Sequence, residues 1–226
     1  MESRFLNILA LDTSNEYCSL ALLSGGRLAV REVLAGQNHS EMILVMLEDV
    51  LQKEGMSMCE IGGIAFGAGP GSFTGLRIAC GVAQGLAFGS DVPVVGIGTL
   101  HAMASTMAGD RIVACLDARM GEVYHAAFER IEGKLVCLSE PGLYRPHEVP
   151  LLDGDHWSGC GSGFSVPGLL ERYQGAMVSV DEKARPHARE IAYLALEAFE
   201  SGRGTDAALA APLYVRNKVA LKESER

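Results

Sequence analysis

The sequence predicts an α/β protein made from an internally duplicated unit, and three observations carry that reading. First, an apolar run over 5–11 ends at Asp12; the polar turn Thr13-Ser14-Asn15-Glu16, a strand over 17–23, the reversal Ser24-Gly25-Gly26 and a strand over 28–33 follow. Second, the same grammar returns: 112–116 ends at Asp117, Ala118-Arg119-Met120-Gly121 turns, 123–128 runs back, and Glu132-Gly133-Lys134 leads into 135–138. Third, the two aspartates stand 105 positions apart, close to half of the 226-residue chain. Repetition at that distance points to two related α/β halves. The halves are expected at 1–108 and 109–226, with the last segment free to pack back on the first half.

Between the two units, residues 39–54 read as a helix with Ser40 at its N-cap and Gly55 past its end. Ile43, Met46, Leu47, Val50 and Leu51 make one core-facing stripe, leaving Met42, Leu44 and Val45 outside it. A helix over 75–88 is apolar nearly all round and so is buried on more than one side. Its Gly81 and Gly85 lower helix propensity, which close backbone packing would offset. A strand over 92–97 and a link through Thr99-Leu100-His101 lead to the second unit. There, 141–168 is rich in Gly and Pro and reads as loops around short strands. A helix over 188–199, an extended piece over 211–216 and a charged tail over 222–226 close the chain.

A hydrophobic content of 48% supports a sizeable core, as one large domain or two small ones. The net charge of −9 argues against a broad phosphate-gripping face, so any nucleic acid is expected to be held through a partner. No run approaches 18 apolar residues, which predicts neither a membrane span nor export, and the cytoplasm is the expected location. The six cysteines are scattered without a C-x-x-C pair and read as small packed hydrophobes, Cys160 being the one in exposed-looking, glycine-rich surroundings.

The densest chemical signal is Gly67-Ala68-Gly69-Pro70-Gly71-Ser72-Phe73-Thr74-Gly75, set between an apolar run and a helix. Gly69, Gly71, Ser72 and Thr74 with Asp12 form a candidate anion or nucleotide loop, because helix-opening amides lack intrahelical acceptors. The loop lacks a P-loop lysine, and Ser72 stands where the dinucleotide fingerprint needs its last Gly. The other reading is a strand-to-helix turn capped by Ser72 or Thr74. Asp12 and Asp117 either hold hydrated Mg²⁺ against a phosphate or bond their own turns; Arg119 beside Asp117 favours the turn for that residue. The six histidines include no pair closer than nine positions, so no helical H-x-x-x-H dyad exists and no metal site is expected. Nucleophile elbows of the G-x-S-x-G type are absent.

Four segments together resemble the bacterial TsaB (YeaZ) family: 8–14 (ILALDTS), 69–78 (GPGSFTGLRI), 116–124 (LDARMGEVY) and 212–217 (PLYVRN). The resemblance spans nearly the whole chain in order. It implies an actin-like (ASKHA) α/β fold with two related βββαβα-type halves. It also implies a role in making N6-threonylcarbamoyladenosine at position 37 of tRNA. In such systems the transfer belongs to a TsaD-type sister protein whose metal is held by an H-x-x-x-H pair; here His101 is followed at the fourth position by Ser105. The role implied is a non-catalytic scaffold for the TsaD-type transferase, forming a heterodimer with it, with a TsaE-type ATPase completing the assembly and tRNA met only through the complex. No cofactor is required, and any ATP or ADP binding is expected to be weak. Two rivals are an independent actin-like phosphotransferase, which ATP turnover by the isolated chain would reveal, and a glycoprotease-like peptidase, which proteolysis by the pure protein would reveal.

The surplus apolar residues predict the partner surface. Met42 and Val45 on the first helix and the Ala79, Ala83, Ala87 row on the second are expected to meet the transferase or, in its absence, a second copy of this chain.

Overall fold

Each of two five-stranded sheets is built around the first strand of its half. The computed structural model describes residues 6–173 and 175–215. In the first sheet, β1 (Ile8–Asp12) lies between the antiparallel hairpin partner β2 (Tyr17–Ser24) and the parallel β4 (Gly63–Gly69). β3 (Arg27–Leu34) and β5 (Val94–Gly98) complete the order β3-β2-β1-β4-β5. The second sheet repeats this with β6 (Arg111–Arg119), β7 (Glu122–Ile131), β8 (Lys134–Tyr144), β9 (Trp157–Cys160) and β10 (Met177–Asp181), in the order β10-β9-β6-β7-β8. Strand for strand the two orders match, with the same pattern of two antiparallel and two parallel pairings. The repetition read from the aspartates is therefore a repetition of topology.

β1 is apolar on both faces because both are covered. Leu9 and Leu11 point into a core closed by α1 (His39–Glu54) and α2 (Phe73–Ser90), with Ile43, Leu47, Val50, Ala79 and Ala83. Ile8 and Ala10, on the alternate face, pack against Ala188, Ile191, Ala192, Ala195 and Ala198 of α5 (Ala188–Glu200). The alanine row lets this late helix lie close on the first sheet. Two short helices are α3 (Thr99–Ala104) and α4 (Leu169–Arg172). The expected link at 99–101 is in fact a buried helix: Leu100, Met103 and Ala104 seal one face of the second sheet with Ile112, Ala114 and Phe128.

Element ends show which local signals won. α1 follows Asn38, which makes no side-chain cap, so Ser40 falls inside the helix and not at its cap. Gly55, at φ +64°, closes it as expected, its N–H reaching Leu51 and Gln52 carbonyls. α2 starts two residues earlier and ends two later than its apolar run, with Asp91 left-handed at the C-terminal end. β8 runs to Tyr144, into a stretch expected as loop. Cys160 is fully buried, not exposed, and burial pushes its thiol up to about 12. Phe5, Arg216, Asn217 and the tail 222–226 lie outside the described residues.

Candidate functional site

The end of β1, the glycine loop and the first turn of α2 meet at one place. Asp12 is fully buried at the last position of β1. Its Oδ1 accepts from the Ser14 backbone N–H at 3.1 Å, the Ser14 hydroxyl at 2.8 Å and the Asn15 side-chain amide at 3.3 Å. Of the two readings of this aspartate, the turn-bonding one describes its contacts. Oδ2 has no hydrogen-bond partner among the described residues and rests against Gly67, where an added Cβ would stand 1.9 Å from it. Desolvation pushes the carboxyl up to about 6, against the pull of the Ser14 hydrogen bonds. Asp117 repeats the local bonding in the second half: its carboxylate accepts from the Arg119 N–H at 2.7 Å and from the guanidinium at 3.4 Å.

The loop glycines make room for the chain's own backbone. A Cβ on Gly75 would lie 1.8 Å from the Thr13 carbonyl oxygen, and one on Gly71 would lie 2.7 Å from that of Ser14. Gly69, at φ +120°, faces the Leu213 carbonyl oxygen at 2.9 Å from its absent Cβ. The contact is tied by hydrogen bonds: the Ser72 N–H donates to Ser14 O at 2.8 Å, the Thr13 hydroxyl to Gly75 O at 2.7 Å, and the Leu213 N–H to Ala68 O at 2.7 Å. Ser72 is the N-cap of α2, accepting from the Gly75 N–H at 3.4 Å, while Thr74 is exposed on the first turn. Carbonyl oxygens thus face the stretch where an anion would need donors. The second half uses a similar device, since a Cβ on Gly161 or Gly163 would strike Cys115 in the middle of β6. Thr13 and Leu213 are the parts of this site that the sequence reading missed. Gly67 and Gly75 were the available signals, as glycines flanking a loop opposite Asp12-Thr13-Ser14.

The proposed partner residues divide. Val45 is 65% exposed and Leu44 49%, while Met42 is half-buried against the core. Ala79, Ala83 and Ala87 are buried to within 1%, because they form the face of α2 that lies on the first sheet, and their placement on an outer surface is corrected. The outward face of α2 instead carries Arg77, Gly81, Gly85 and Phe88, the last 83% exposed. Nothing lies within 4 Å of a Cβ built on Gly81 or Gly85, so neither serves packing inside the chain.

His101 is half-buried and stacked on Phe128 at 5.2 Å between ring centroids, and burial lowers its pKa. The Ser105 hydroxyl donates to the His101 carbonyl at 2.9 Å. Among the described residues no three His, Cys, Asp or Glu side chains converge as a metal set, and no helix is long and apolar enough to cross a membrane.

Comparison with known proteins places this geometry. Residues 31–155 match the family described as TsaD, tRNA N6-adenosine threonylcarbamoyltransferase. The tRNA threonylcarbamoyladenosine biosynthesis protein TsaB of Escherichia coli is 37% identical, over 96% of this chain and 98% of that protein. Its namesake in Haemophilus influenzae is 33% identical, over 96% and 97%. Among solved structures, YeaZ from Pseudomonas aeruginosa superposes with a TM-score of 0.85 at 37% identity, covering 92% of this chain and 99% of that one. A second P. aeruginosa structure, described as similar to peptidase YeaZ, gives 0.87 at 36% identity, covering 93% and 100%. Likeness of this extent, in sequence and in fold, means that the chain belongs to the TsaB (YeaZ) family.

Proposed function

We propose that the chain is a non-catalytic partner subunit in the biosynthesis of N6-threonylcarbamoyladenosine at position 37 of tRNA, supporting a TsaD-type transferase. One observation carries the reading: near full-length likeness to proteins named for that biosynthesis, in a chain that has Ser105 where a transferase-type H-x-x-x-H pair would need its second histidine. Two features support it. The glycine loop is filled by the carbonyls of Thr13 and Ser14, which suits a structural turn better than a phosphate cradle. The exposed apolar residues of α1 and α2 suit contact with another protein.

The contact face is Leu44 and Val45 on α1 with Gly81, Gly85 and Phe88 on α2. Two helices presented in this way fit a four-helix contact about a two-fold or pseudo-two-fold axis, with the transferase or with a second copy. A TsaE-type ATPase joins that assembly, and tRNA is met through it. The test is reconstitution with purified transferase, ATPase, threonylcarbamoyl donor and tRNA. Modification should require this chain, and the chain alone should neither modify tRNA nor turn over ATP. Robust ATP turnover by the isolated chain, abolished by Asp12→Ala, would replace this reading with a phosphotransferase.

A further inference from the structure

A small apolar pocket opens where the glycine loop, the second half and the last described segment meet. Pro70, Phe73 and Leu76 form one wall, Tyr124 another, and Leu213 and Tyr214 the third. Its volume of about 70 Å³ is far below the 300–1,000 Å³ of sites that enclose a small molecule, so it has room for one side chain. No lining residue is charged. The charge at the rim is Arg77, whose guanidinium carbon lies 3.8 Å from the Phe73 ring centroid and 6.0 Å from that of Tyr214. Its Nε donates to the Tyr214 hydroxyl at 3.0 Å, and its two terminal nitrogens have no protein acceptor among the described residues.

Phe73 and Tyr214 are close to half exposed yet hold each other, with ring centroids 5.7 Å apart, and they fix the arginine between them. The segment that carries Leu213 and Tyr214 is tied to the glycine loop by the Leu213 N–H to Ala68 O bond. An aromatic pair with an oriented arginine is the composition of interface anchor points. The Arg77 guanidinium, exposed at the rim, supplies a local positive charge whose planar fork matches a carboxylate. We propose that this pocket is an anchor site for a protein segment in which one apolar side chain enters between Phe73, Tyr124 and Tyr214 while an adjacent Asp or Glu carboxylate pairs with Arg77. The proposal does not rest on the α1–α2 contact face.

The test is two-dimensional NMR of the full chain titrated with the peptide acetyl-Gly-Leu-Glu-Gly-amide. Shifts should be confined to Phe73, Arg77, Tyr124, Leu213 and Tyr214, with a dissociation constant on the order of 1 mM, the scale of one small anchor. Peptides with Gln for Glu or Ala for Leu should bind about tenfold more weakly. Arg77→Ala should erase the Glu-over-Gln preference, and Val45→Asp should leave the response unchanged, which separates this pocket from the contact face. Equal binding of the Glu and Gln peptides, or no response at these residues, would overturn the proposal. So would the same shifts arising from protein concentration alone, which would assign the pocket to a second copy, or from AMP in place of peptide, which would assign it to a nucleobase.

Discussion

The Oδ2 of Asp12, which has no hydrogen-bond partner among the described residues, rests on the α-carbon of Gly67, with no room for a methyl group between them. A buried acid with an unpartnered oxygen favours its protonated form, and its pKa of about 6 lies well above the ordinary 3.8. The folded state therefore holds a proton that the unfolded chain releases between those values. Stability from this group is fully present below pH 3.8 and is lost as pH rises through 6. By linkage, about 3 kcal/mol is at stake. Asp12→Asn should stabilise the protein above pH 6 by up to that amount, and the gain should vanish near pH 4. Urea unfolding of both proteins across this range measures it.

His125 works in the opposite direction. It is fully buried beside Tyr173, 2.7 Å from Nε2 to the hydroxyl, with no hydrogen-bond partner for Nδ1 among the described residues, and desolvation pushes its pKa down to about 4. The unfolded chain takes up the proton first, so this group's contribution is present above 6.5 and is lost as pH falls towards 4, again by about 3 kcal/mol. The two groups offset each other between pH 4 and 6. The double variant His125→Leu, Tyr173→Phe should show a shallower acid limb than wild type, whereas Asp12→Asn should steepen it; acid titration followed by circular dichroism distinguishes the two.

Glycines of the two kinds should respond oppositely to alanine. At Gly75 a methyl meets the Thr13 carbonyl, and Gly75→Ala should cost about 1–3 kcal/mol or more. At Gly81 and Gly85 it meets open space, and each alanine should stabilise by about 0.5–1 kcal/mol through helix propensity. Thermal melts settle the sign at each position.

Val45→Asp should leave the fold intact, since the side chain is 65% exposed, while weakening association by several-fold or more through a charge stranded in an apolar contact. Sedimentation of the variant alone and with the transferase is the measurement. Normal association would move the contact face elsewhere.

Much of this was legible in the sequence. Apolar runs ending in Asp12 and Asp117 announced the duplicated topology, and the periodicity of α1 marked its inner face because Glu41, Glu48, Asp49 and Gln52 stand on the other side, leaving Leu44 and Val45 as the outward apolar residues. In α2 the same reasoning failed at one point: apolar residues surround the helix, so pattern could not separate the buried alanines at 79, 83 and 87 from the outward Gly81, Gly85 and Phe88. The glycine loop showed that something approaches closely but not what does. That the visitor is the backbone of Thr13 and Ser14 is a property of two segments about sixty residues apart, set by the pairing of β1 with β4.

The most direct measurement of the central claim is mass spectrometry of tRNA nucleosides from cells lacking this chain. The account predicts that N6-threonylcarbamoyladenosine is lost and returns when the wild-type chain is supplied. Unchanged levels of the modified nucleoside in the deletion strain would contradict it.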